Sequence, residues 1–88
     1  GTDHGWGNHH LIMGGAVKGG DLYGTFPDLK LGSDNDTGSR GVLIPTTSLD
    51  QFGGTCAKWF GVQPGADMES VFPNLDDNFT TTDLGFLA

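Results

Sequence analysis

Sixteen of the 88 residues are glycine, and this limits what the chain can fold into more than any other property. Glycine gives up more backbone freedom on folding than any other residue, and ordering the backbone is the main cost of folding. Only 35% of the residues are hydrophobic, so little apolar surface is available to offset that cost. A domain of this length buries about 60–65% of its unfolded surface and is marginal without staples. With Cys56 as its single cysteine, the chain has no disulfide framework to help. The expectation is a chain that does not fold well alone. Residues 1–88 are read as the C-terminal piece of a single larger domain, with the remainder of the parent polypeptide as partner.

Charge narrows the partners. Eleven acidic and four basic residues give a net charge of −7, which argues against binding a nucleic-acid backbone or an anionic membrane surface. No apolar run approaches the roughly 18–20 residues needed to span a bilayer.

The hydrophobic pattern divides the chain into three stretches. In residues 1–31, His10-Leu11-Ile12-Met13 is short, apolar and closed by Gly14-Gly15, which reads as a buried strand, with a helical turn as the alternative that periodicity leaves open. Leu22 to Pro27 alternates as a second short strand ended by proline. Residues 32–41 contain only turn formers and charges and read as a solvent loop. Val42-Leu43-Ile44 is a third short strand, stopped by Pro45.

The clearest local signal follows. Ser48 and Gln51 have capping-box spacing. Leu49, Phe52, Cys56, Trp59 and Phe60 recur at i, i+3, i+7, i+10 and i+11, one face of a helix. Gly61 stands where a C-terminal glycine is expected, and Val62 supplies the contact after it. The spacing predicts a helix over 48–60 that buries those five side chains and exposes Asp50 and Lys58. Gly53-Gly54 inside it costs about 1 kcal/mol per residue against alanine, which points to close packing of that backbone on a neighbouring element. Asp67 to Phe72 predicts one helical turn before Pro73. Residues 74–88 read as an irregular arm, anchored by Leu75, Phe79, Leu84 and Phe86 on a surface outside this chain.

Chemistry concentrates at the start. Asp3-His4, flanked by Gly1, Gly5 and Gly7, offers a carboxylate oxygen and an imidazole nitrogen at adjacent positions. These are the ligand types of divalent hydrolytic metal centres. The alternative is a capped turn in which Asp3 accepts backbone N–H groups and His4 packs on Trp6. His9 and His10 follow within six residues. On an extended segment they point to opposite faces, so one cation takes one of them, and the residue types do not choose which. Lys18 reads as a solvated loop lysine. Asp34-Asn35-Asp36-Thr37-Gly38 hints at a calcium loop but lacks the glycine spacing and distal glutamate of an EF-hand. Cys56 has no charged neighbour on its helical face and reads as a small core residue.

The string Gly1-Thr2-Asp3-His4-Gly5-Trp6-Gly7-Asn8-His9-His10, followed by Met13 to Gly20, resembles the C-terminal region of a bacterial exported family. That family is catalogued as domain of unknown function 1501 and placed in the alkaline phosphatase/sulfatase-like superfamily. The likeness continues through Tyr23-Gly24, Pro27, Asp36-Thr37-Gly38, Ile44 to Ser48, Asp50-Gln51, Trp59 to Val62 and Val71 to Leu75. It implies an α/β fold, this chain being the C-terminal part of an alkaline-phosphatase-like α/β sandwich, in a periplasmic or extracellular protein. It further implies that Asp3 and His4 ligate a divalent metal (Zn, Mg, Mn or Ca) of a phosphoester or sulfate-ester site, with His9 or His10 as a further ligand. In that superfamily the nucleophile and the other carboxylate ligands lie toward the N-terminus. The chain alone is expected to be inactive. Two readings stand beside the hydrolase: a non-catalytic exported binding or scaffold protein that keeps the fold, and a free-standing interaction domain.

Overall fold

The computed structural model describes residues 7–88; Asp3 and His4 lie outside the described residues. The chain divides into two compact units, the first comprising residues up to 11 together with 24–46, the second residues 12–23 together with 47–88.

The second unit is built on helix α1, Leu49–Phe60. Its N-terminus is a reciprocal capping box: Gln51 N–H donates to Ser48 Oγ, and Ser48 N–H donates to Gln51 Oε1. At the other end Gly61 sits at φ 120°, a conformation that side-chain-bearing residues rarely adopt, and its N–H reaches the carbonyls of Ala57 and Lys58. Val62 N–H also returns to Ala57 O. The helix therefore starts and stops as the sequence indicates.

Its buried face differs from expectation. Gly54 and Thr55 are the buried residues of α1, Phe52 and Cys56 are half-buried, and Leu49 and Phe60 are 73% and 85% exposed, with Trp59 also exposed. Asp50, expected in solvent, is half-buried, whereas Lys58 is exposed as expected. The cause is the glycine pair. A Cβ on Gly53 would stand 2.8 Å from Phe72 Cζ, and one on Gly54 2.7 Å from Leu75 Cδ2. The bare backbone thus forms the contact surface, and it selects the glycine side of the helix over the aromatic side. Helices α2 (Ala66–Val71) and α3 (Leu75–Asn78) pack against it there. Helix α2 covers the turn foreseen before Pro73, beginning one residue earlier.

The C-terminal arm is held by this chain. Leu75 and Phe86 are 1% and 2% exposed and, with Met68, form the buried apolar core. The Phe86 ring meets Phe52 at 5.5 Å and Tyr23 edge-on at 5.8 Å. Three side chains of α1 tie down the arm: Gln51 Nε2 donates to Thr81 O, Thr55 Oγ1 accepts from Leu84 N–H, and Lys58 pairs with Asp83 at 2.8 Å. The arm then bridges residues 16–18, with Lys18 N–H donating to Phe86 O and Ala88 N–H to Ala16 O. The expectation that the arm lies on a surface outside the chain is corrected accordingly.

Among the described residues, strand pairing is confined to two isolated antiparallel bridges, Val17 with Leu87 and Asp36 with Leu43. Residues 10–13 and 22–27 belong to no ladder. Leu11 and Met13 are 91% and 85% exposed, so the first of these segments is not a buried strand of this chain. Periodicity identified the apolar run, but burial needs a second surface, and among the described residues Leu11 and Met13 find none.

Candidate functional site

The segment leading away from Asp3-His4 is positioned within the first unit. A Cβ at Gly7 would fall 2.8 Å from Pro45 Cγ, so the backbone there touches the proline ring and only glycine permits the approach. Asn8 Oδ1 accepts the N–H of His9 at 2.8 Å. The His9 imidazole stacks on Phe26, with ring centroids 4.9 Å apart and planes 20° from parallel. Face-to-face stacking covers a π surface, while the ring-nitrogen lone pairs lie in the ring plane and are not blocked by it. On the same side, the Thr46 hydroxyl donates to Thr25 O, linking the residue after Pro45 to the residue before Phe26. His9 and His10 are both exposed. Among the described residues, no three His, Cys, Asp or Glu side chains gather into a set that could hold a metal ion.

The best-organised polar centre of the first unit is one that the turn-forming composition conceals. Asp36, in the stretch read as a solvent loop, is buried. Its Oδ2 accepts from the N–H groups of Gly32 and Gly41 at 3.0 Å, and its Oδ1 from Gly38 at 3.1 Å. Backbone bonds from Thr37 N–H to Val42 O and from Ile44 N–H to Asn35 O at 2.7 Å complete the loop. The Gly32 N–H, followed by that of Gly38, holds the Asp36 carboxyl below its ordinary value of 3.8, because hydrogen bonds to a carboxylate favour its charged form. This carboxylate replaces solvent for three backbone donors. The sequence signal that could have found it is an aspartate among glycines at −4, +2 and +5, each free of a side chain that would keep the backbone away.

The second unit carries an apolar groove of about 490 Å³ between residues 12–17 and the C-terminal half of α1, lined by Ile12, Met13, Val17, Cys56, Trp59 and Phe60 among others. Cys56 forms part of this wall. Lys18 is exposed and is fixed through its backbone, its carbonyl accepting the Tyr23 hydroxyl at 2.7 Å. Asp83 is held below its ordinary value, first by its bond from Lys58 and next by the Gly85 N–H. Lys58 and Asp83 are about half exposed, so the pair is a surface tie and not a reactive dyad.

These features meet the comparisons with known proteins at one point. The family model described as "Protein of unknown function (DUF1501)" matches residues 1–69, covering Asp3-His4, the His9–Phe26 stack, the Asp36 loop and all of α1. The chain belongs to this family. No curated protein and no solved structure matches it significantly.

Proposed function

We propose that this chain supplies the Asp3-His4 ligand pair of a metal-dependent phosphoester or sulfate-ester hydrolase of the alkaline phosphatase/sulfatase-like superfamily, in a bacterial exported protein. The observation that carries the reading is the adjacent carboxylate and imidazole, set among glycines within the matched region and followed by two more imidazoles. The donor chemistry fits a divalent cation: an anionic oxygen from Asp3 and a neutral nitrogen from His4. His9 or His10 adds another nitrogen, and the packing of Gly7 on Pro45 and of His9 on Phe26 supports a segment built to hold a fixed path there. The nucleophile and remaining ligands come from the parent polypeptide outside this chain. Exposed Leu11, Met13 and Phe60 support a docked partner of that kind.

A bound divalent cation would polarise a phosphoryl or sulfuryl oxygen and lower the pKa of a coordinated nucleophile. The chain's own part is to hold donors. Asp3 offsets positive charge at the site and must be ionised to bind. His4 must be neutral, so metal occupancy should fall as pH drops below about 6.5, the free imidazole value.

Metal analysis of the intact protein, coupled to assays with chromogenic phosphate and sulfate esters, tests this reading. The expected result is a stoichiometric divalent metal and ester hydrolysis, both lost in Asp3→Ala/His4→Ala with α1 still folded. A double variant that keeps its metal would overturn it. A protein with Asp3-dependent metal but no esterase activity would be the scaffold.

A further inference from the structure

We draw no further inference here: the strongest candidate, the apolar groove between residues 12–17 and the C-terminal half of α1, is an unpartnered face, and nothing in the structure shows what covers it.

Discussion

Asp36 shows how much one side chain can organise in a glycine-rich segment. Three amides that would otherwise be solvated converge on its two oxygens, and each bond is charge-assisted. Asp36→Ala should leave those donors without their acceptor, and hydrogen exchange at Gly32, Gly38 and Gly41 should accelerate together while α1 amides are unaffected. Unchanged exchange at those three glycines would refute the role. The pH dependence follows from the depressed folded-state value. The carboxylate's contribution is fully present above 3.8, the ordinary value, and is lost as pH falls through the lower folded value. An NMR titration of the Asp36 carboxyl should accordingly show a midpoint under 3.8; a midpoint above it contradicts the geometry.

At the scale of the element, α1 combines a strong local code with an unusual contact. Removing the capping box with Ser48→Ala should cost about 0.5–2 kcal/mol, measurable by denaturant unfolding of the intact protein. The glycine pair should respond asymmetrically. Alanine at either position gains about 1 kcal/mol of helix propensity. At Gly54 the new methyl meets Leu75, which is buried and cannot withdraw, and overpacking of that sort costs about 1–3 kcal/mol. At Gly53 the obstacle is the tip of the half-buried Phe72 ring, which can swing aside. Gly54→Ala should therefore destabilise, and Gly53→Ala should be near neutral or stabilising. Equal effects at the two sites would show that the Leu75 contact is not rigid.

At the scale of the whole molecule, the contrast lies between a very small buried core and large apolar side chains left in solvent. Met68, Leu75 and Phe86 are buried, whereas Leu11, Met13, Leu49 and Phe60 are not. Among the described residues, no helix is long and apolar enough to cross a membrane. Expressed alone, the 88-residue chain should self-associate and lack a cooperative melt, because a core this limited does not offset the ordering of so many glycines. Calorimetry and sedimentation would decide, and a monomer with a sharp two-state transition would refute the expectation. In the intact protein, Phe86→Ala should cost about 3–5 kcal/mol, as a large-to-small change at a buried aromatic does.

Where the rules are local, the sequence by itself determined the outcome. Ser48 with Gln51, and Gly61 with Val62, set both ends of α1, because capping depends on atoms of the helix's own first and last turns. The turn before Pro73 was legible for the same reason; Asp3 and His4 are possible donors by residue type and lie outside the described residues. Only the tertiary structure decided which face of α1 is buried. Helical periodicity marks where apolar side chains align, but Leu75 and Phe72 pack on a backbone with no side chain to count. The same holds for Asp36, whose three partners lie up to five residues away and become neighbours only when the loop closes. It holds too for the apolar run at 10–13: a sequence can mark a segment as able to be buried, but burial requires a second surface, and among the described residues none covers Leu11 or Met13.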